Sequence, residues 1–371
     1  MACGRFLETP HTLTGAGGLG AGVDDPVRSA ACLAAMDPPR QRCRTGRLRF
    51  PSFANHRRPW IFAGVAPAVE LESVSKRYGD FRAVDGLSLS VPQGCIYGVL
   101  GPNGAGKTTT LRMILGVVEP TSGRVSVLGH GSAMSVRERV GYLPEEKGLY
   151  RKMKASAVIA YFATLKGMSR RQADLRAREL LDRHGLGLFA DVKTEALSKG
   201  MGQKVQVLAS IAHDPDLVIL DEPFSGLDPV NQGVLEEIVR DLKERGRTVL
   251  LSTHVMAHAE RLCDRVVIIS GGRSLFDGTL AEARRVVPAK VRIRTRDSLE
   301  PLQDLPMLRE LRSLGDGRWE FELEEGADPQ AVLEACFTNQ VRLSHFSASE
   351  ATLHDAFVRL VGPAAREASY R

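Results

Sequence analysis

A glycine-rich segment in the first third of the chain has the residue types and spacing of a phosphate-binding loop. Residues 101–108 read Gly-Pro-Asn-Gly-Ala-Gly-Lys-Thr, which matches the pattern G-x-x-x-x-G-K-[ST]. Glycines allow the backbone to wrap around a phosphate with its N–H groups directed inward, and a helix N-terminus adds positive potential. Lys107 is predicted to reach the β- and γ-phosphates of a nucleotide, and the Thr108 hydroxyl to bind Mg²⁺.

Two adjacent carboxylates form the second candidate group. The apolar run 217–220 ends in Asp221 and Glu222, so both acids follow a predicted buried strand. Asp221 is predicted to lie in the Mg²⁺ shell, and Glu222 to polarise a water molecule for attack on the γ-phosphorus. Adjacent acids at the end of a strand are usually only solvated, so this interpretation depends on the phosphate loop that precedes them.

Buried strands interleaved with helices are the elements that must position these groups. The apolar run Ile96–Leu100 leads directly into the glycine loop, and the sequence is helical in pattern from about residue 151 to 185. This alternation favours an α/β core. Strand-like runs are predicted at 69–74, 87–91, 217–220, 248–252 and 266–270. A small α+β unit is predicted after about residue 289, with strands at 291–294 and 319–323 and helices at 329–337 and 350–360.

The net charge of +6 is concentrated in the first 66 residues. This leader is rich in Gly, Pro, Ala and Arg, and its nine arginines and four acids account for five of the six charges. It is predicted to be disordered, either as a non-functional tail or as an over-long start of the gene. The remaining 305 residues are close to neutral, so the basic pI does not indicate a nucleic-acid partner.

The cysteines and the apolar runs argue against a disulfide-stabilised protein, a zinc-binding protein and a membrane-spanning protein. Three of the six cysteines lie in the leader, and the other three are far apart, so neither a disulfide framework nor a zinc site is predicted. The longest apolar runs have the length of a strand, well below the roughly 18 residues of a membrane-spanning helix.

The order of these motifs over about residues 68–285 resembles the ATP-binding subunit of ABC transporters. In that resemblance Tyr78 stacks on adenine, residues 197–201 (Leu-Ser-Lys-Gly-Met) form the signature, Asp228 lies in the D-loop, and His254 is the switch histidine. The resemblance implies ATP and Mg²⁺ as cofactors, with Glu222, His254 and Glu145 as catalytic residues and Thr108, Asp221 and Glu145 as metal ligands. The implied nucleotide-binding residues are Tyr78, Gly101, Pro102, Asn103, Gly104, Ala105, Gly106, Lys107, Thr108, Thr109, Ser198, Gly200 and Asp228.

Two residues depart from the family pattern. Glu145 stands where the family usually has glutamine, and a carboxylate lacks the amide donor that orients water. Lys199 replaces a signature glycine and gives up the freedom of glycine at positive φ. Both changes resemble an exporter-type subgroup that carries a small C-terminal domain, and they leave the rate of hydrolysis more open than nucleotide binding.

The resemblance also implies an architecture and partners. The predicted domains are a leader (1–66), an ABC-type ATP-binding domain (67–288) with a helical subdomain at about 150–200, an appended α+β domain (289–362) and a tail (363–371). Two such subunits, identical or different, enclose two ATP molecules, with Ser198 and Gly200 acting on the nucleotide of the partner. The implied location is the cytoplasmic face of the cell membrane, peripheral through transmembrane permease subunits, and no nucleic-acid partner is expected.

Three alternatives stay open from the sequence. A soluble ABC-type ATPase acting on nucleic acid or ribosomes is disfavoured by the single cassette, the short gap between Lys107 and Ser198, and the near-neutral body. A regulatory module that binds ATP with weak turnover would agree with Glu145 and Lys199. A P-loop kinase or GTPase is the third class, and the Asn-Lys-x-Asp motif of a GTPase is absent.

Overall fold

Short apolar runs form the most buried strands of this protein, and amphipathic segments form most of its helices. The computed structural model describes residues 66–146, 148–303, 305–324, 327–349 and 351–362. The predictions for the leader before residue 66 and for the tail at 363–371 lie outside these residues.

The strands and helices follow one another along the described chain in alternating groups. The strands are β1 (Val69–Tyr78), β2 (Phe81–Val91), β3 (Ile96–Leu100), β4 (Ser122–Val127), β5 (Val140–Leu143), β6 (Leu217–Asp221), β7 (Thr248–Thr253), β8 (Arg265–Ser270), β9 (Arg273–Thr279), β10 (Lys290–Thr295), β11 (Leu308–Gly315), β12 (Arg318–Leu323) and β13 (Leu343–Ser349). The α-helices are α1 (Lys107–Ile114), α2 (Ala155–Leu165), α3 (Arg170–Arg183), α4 (Lys199–Ile211), α5 (Pro229–Glu244), α6 (Met256–Leu262), α7 (Leu280–Arg285), α8 (Pro329–Thr338) and α9 (Leu353–Val361). Short 3₁₀ helices lie at Ala133–Arg139, Gly187–Phe189, Thr194–Ala196 and Glu300–Leu302.

A six-stranded sheet carries the candidate residues. Its order is β5-β6-β7-β3-β8-β9, and every neighbouring pair is parallel except β8 with β9. Asp221 pairs with Ser252, and Leu100 pairs with Thr253. Because parallel strands end at the same edge, the phosphate loop after β3, the acids at the end of β6 and the residue after β7 come together at this edge.

The two faces of this sheet pack against different partners. Alternate residues such as Leu217 and Ile219 point towards α1 and the three-stranded antiparallel sheet β2-β1-β4. Val218 and Leu220 point towards the opposite core, which includes the helices α2 to α6. Both faces are therefore covered, as expected for a parallel sheet whose strands are continuous apolar runs. These observations confirm the α/β class predicted from the sequence.

The last part of the chain forms a small α+β unit. Its four antiparallel strands have the order β11-β12-β10-β13, and α8 packs on one face of this sheet. Helix α9 then returns to α6 and α7, where Leu353 and Val361 join the core of the large sheet. The Leu353 amide also donates to Glu260 Oε1 of α6, at 3.3 Å.

The sequence pattern located most buried elements and missed several exposed ones. The predicted strands at 217–220, 248–252 and 266–270 are confirmed as β6, β7 and β8. The helical stretch predicted from about 151 to 185 contains two helices, separated at 166–169, and the last predicted helix begins at Leu353 instead of residue 350. Within the described residues no helix is both long enough and apolar enough to cross a bilayer.

Candidate active site

The phosphate loop is a tight turn between β3 and α1. Gly104 and Gly106 have φ angles of 77° and 101°, in the left-handed region that favours glycine. A Cβ added to Gly106 would lie 2.5 Å from the carbonyl oxygen of Ala83 in β2, so the loop is pressed against a neighbouring strand. The glycine spacing found in the sequence is thus a requirement of this backbone.

Lys107 is the first residue of α1 and directs its charge into the loop. Its side chain is only 7% exposed, and Nζ donates to the carbonyl oxygen of Gly101 at 2.8 Å and to that of Pro102 at 3.3 Å. Glu222 Oε1 lies 3.6 Å from the same Nζ. A buried ammonium held by these oxygens is placed to receive a phosphate.

The two acids at the end of β6 are held by a serine of the next strand. Ser252 Oγ donates to Asp221 Oδ1 and accepts from the backbone amide of Glu222 at 3.0 Å. Asp221 is 1% exposed, and its other carboxylate oxygen, Oδ2, has no hydrogen-bond partner in the described structure. An unpaired buried carboxylate oxygen is costly unless a cation binds it, so Asp221 fits a ligand of Mg²⁺ or of its water shell.

Glu222 and His254 meet although 32 residues separate them in sequence. Glu222 has a φ of 47°, which turns its side chain from the end of β6, and it is largely buried. His254 follows β7, is half-exposed, and has Nδ1 2.9 Å from Glu222 Oε1. The distance allows a hydrogen bond in which the ring N–H donates to the carboxylate.

A cavity of about 330 Å³ lies in front of Lys107 and Glu222, whereas Asp221 and His254 are not among its lining residues. Glu145, which follows β5, reaches this cavity together with the phosphate loop and Glu222. The lining residues are Phe81, Ala83, Asn103, Gly104, Ala105, Gly106, Lys107, Thr108, Thr109, Glu145 and Glu222. The fold therefore brings together the phosphate loop, Glu145 and Glu222, three groups that are distant in sequence.

Tyr78, the predicted adenine-stacking residue, does not line this cavity. It pairs with Phe81 across the β1–β2 turn, is half-exposed, and has Lys76 Nζ 5.2 Å from its ring centroid. Phe81 is exposed and does line the cavity, and the sequence analysis missed it. The sequence signal that could have identified Phe81 was a second aromatic residue three positions after Tyr78. The stacking role of Tyr78 stays a prediction.

The signature and D-loop residues lie outside the cavity lining of their own chain. Ser198 caps α4 by accepting from the Met201 amide, and it is exposed. Asp228 caps α5 in the same way, and the hydrogen bond from the Asn231 side chain lowers the pKa of this carboxyl. Gly200 packs directly on Asn231, which leaves no room for a Cβ. The two caps are therefore adjacent to each other.

Known proteins share this architecture. The ABC transporter family model matches residues 84–225, and the model of the C-terminal domain of DrrA1-3-like ATP-binding proteins matches residues 278–361. A solved structure of the ATP-binding subunit of an ABC transporter is 34% identical, with a TM-score of 0.55 over 59% of this chain and 92% of that one. The fold and the site thus define an ATP-binding protein of the ABC class.

Relatives that match over nearly their whole length narrow this class. An uncharacterized ABC transporter ATP-binding protein of Bacillus subtilis, YhaQ, is 40% identical over 79% of this chain and 98% of its own length. Nod factor export ATP-binding protein I of Ralstonia nicotianae is 36% identical, over 82% of this chain and 97% of the relative. The daunorubicin/doxorubicin resistance ATP-binding protein DrrA of Streptomyces peucetius is 33% identical, over 81% and 94%. The chain belongs to the family of ABC transporter ATP-binding proteins, and it is an ATP hydrolase.

Proposed function

We propose that two copies of this subunit, or this subunit and a related one, close head to tail around two ATP molecules and power a membrane exporter. The observation that carries the proposal is the separation of the two halves of the site. Lys107 and Glu222 line the cavity, whereas the exposed cap Ser198 and its neighbour Gly200 lie outside it. A second subunit related by a two-fold axis would bring its own signature to this cavity.

The residues of the cavity have distinct roles in this proposal. Lys107 and the loop amides would bind the β- and γ-phosphates of ATP, while Thr108, Asp221 and Glu145 would hold Mg²⁺. When bound, the cation neutralises charge on the phosphate oxygens. Glu222 takes a proton from the attacking water as general base. His254 keeps the Glu222 carboxylate oriented through the 2.9 Å contact, and in this proposal it would contact the γ-phosphate once ATP is bound.

Lys199 and Glu145 adjust this scheme without removing any of its steps. Lys199 is exposed at the first position of α4, beside Ser198, so its charge would face the nucleotide of the partner. Glu145 supplies a second carboxylate to the cavity. In a dimer the Lys199 charge would attract the phosphates of ATP, and the Glu145 carboxylate would attract Mg²⁺.

The relatives support the proposed permease partner and direction of transport. Two of them are named for Nod factor export and for resistance to daunorubicin and doxorubicin. Their alignments cover 82% and 81% of this chain, and the model of a DrrA1-3-like C-terminal domain matches residues 278–361. Export driven through transmembrane subunits at the cytoplasmic face of the membrane is the activity that this similarity supports.

Replacement of the proposed base tests the central step. Glu222→Gln keeps the shape of the side chain and its contact with His254 but removes the proton acceptor. Hydrolysis, measured as phosphate release, should fall by about 10²–10⁴-fold, while ATP should still bind and should stabilise a dimer detectable by light scattering. Glu237→Gln, an exposed glutamate of α5, is the matched control and should leave hydrolysis unchanged.

Two results would contradict the proposal. Turnover of Glu222→Gln within tenfold of the unmodified protein would remove the assignment of the base. Recovery of the full chain from cytosol, with no multi-span membrane protein accompanying it from solubilised membranes, would remove the transporter partnership.

A further inference from the structure

Two aromatic rings stack directly behind the candidate active site. The rings of Phe224 and His258 have centroids 4.3 Å apart and planes inclined by only 15°. Both side chains are buried, and neither lines the nucleotide cavity. The sequence analysis assigned no role to either residue.

The stack joins the two segments that carry Glu222 and His254. Phe224 lies two residues after Glu222, in a turn closed by the Ser225 amide, which donates to the Glu222 carbonyl at 3.1 Å. His258 lies one helical turn after His254, in the first turn of α6. A displacement of either ring would therefore be transmitted over a few bonds to one member of the catalytic pair.

A charged pair holds the histidine ring from its other side. Arg261 Nη2 donates to His258 Nδ1 at 2.9 Å and to Glu236 Oε1 of α5 at 2.6 Å. Glu236 Oε1 is 3.7 Å from the same ring nitrogen. Burial is the largest cause that lowers the pKa of His258, and the positive charge of Arg261 lowers it further. The ring is therefore neutral, and Nδ1 accepts the hydrogen bond from Arg261. The ring is thus fixed by both stacking and hydrogen bonding.

We propose that His258 is a positioning residue for ATP hydrolysis, which sets the separation of Glu222 and His254 through its stack on Phe224. The proposal rests on the proposed role of Glu222 as general base. In-line attack on the γ-phosphorus requires the base and the switch histidine in fixed places, and a misplacement of about 1 Å can cost about 10²-fold in rate. His258 does this without contact to the nucleotide cavity.

Variants of the stack in the full chain separate positioning from general stability. His258→Ala and Phe224→Leu remove the ring contact, and kcat should fall by about tenfold or more with KM for ATP changed by less than about twofold. His258→Phe restores a ring face against Phe224, and kcat should return to within about threefold of the unmodified protein. Glu260→Gln is the matched control in α6, because Glu260 faces Arg284 and Leu353 instead, and its kcat should be unchanged.

The same measurements distinguish failure of the positioning role of His258 from failure of the proposed base Glu222. Loss of thermal stability in His258→Ala and Phe224→Leu with kcat within twofold of the unmodified protein would overturn the positioning role. Failure of His258→Phe to recover kcat would overturn it as well. If His258→Ala does not fold, Phe224→Leu supplies the decisive comparison. A fully active Glu222→Gln would instead refute the proposed base, independently of the stack.

Discussion

Ser252 is the most informative single position for the energetics of the site. Its hydroxyl is fully buried, donates to Asp221 Oδ1 and accepts from the Glu222 amide. Ser252→Ala removes both hydrogen bonds, because alanine has no polar side-chain atom to replace the hydroxyl. The change is small in volume, so the effect of lost packing is minor compared with the effect of lost hydrogen bonds.

The magnitude follows from the groups that the substitution leaves behind. A buried donor or acceptor without a partner costs about 1–3 kcal/mol, and more when it is charged. Ser252→Ala leaves the Glu222 amide unpaired and also strips Asp221 Oδ1, in a carboxylate whose Oδ2 already has no partner in the described structure. We expect the free energy of unfolding to fall by about 3 kcal/mol.

Urea denaturation followed by circular dichroism, without nucleotide and at neutral pH, measures this change. Ser210→Ala is the matched control, because the Ser210 hydroxyl is also buried but donates only to the Val207 carbonyl of its own helix, at 2.7 Å. That variant should lose less than about 1 kcal/mol. A loss below about 1 kcal/mol in Ser252→Ala, or one equal to the control, would refute the account of Ser252 as the bridge between the acids.

Two further predictions concern stability away from Glu222 and His254. Burial, together with the charge of Lys166, lowers the pKa of His213 from its ordinary value of 6.5 to about 4. Between these pH values the unfolded chain binds more protons than the folded protein. The free energy of unfolding should therefore fall by about 3 kcal/mol as the pH drops from 6.5 through 4. Urea titrations at each pH should show this loss relative to His213→Gln, and parallel pH curves for the two proteins would contradict it. Leu353→Ala empties a buried site where α9 meets α6 and α7, and should cost about 3 kcal/mol. Val358→Ala, half-exposed on the same helix, should cost less than about 1 kcal/mol, and equal losses in the two variants would show that α9 does not anchor there.

The strands predicted from the sequence are correct where a strand is buried on both faces of its sheet. Strands β3, β6, β7 and β8 are short apolar runs because each lies inside the parallel sheet, and such runs are visible in one dimension. Strands β9 and β11 were missed because each lies at the edge of its sheet and is largely exposed. An edge strand requires fewer apolar residues, so its pattern resembles that of a loop.

The chemistry of the phosphate loop and of the acid pair was readable from the chain itself. Gly104, Gly106 and Lys107 lie within four consecutive positions. The left-handed conformations of the two glycines depend mainly on local backbone preferences. Asp221 and Glu222 are adjacent, so one strand end is enough to position both. Local spacing therefore determined which residues are predicted to bind phosphate and which supply carboxylates.

Only the tertiary structure decided how these groups act on one another. The 2.9 Å contact of Glu222 with His254, the bridge formed by Ser252 and the stack of Phe224 on His258 all cross from one chain segment to another. Each depends on the pairing of β6 with β7 and on the packing of α6, which bring residues 30 or more positions apart to within hydrogen-bond or van der Waals distance. Such contacts arise because the buried faces of the sheet and helices must be filled together, and no local spacing specifies them.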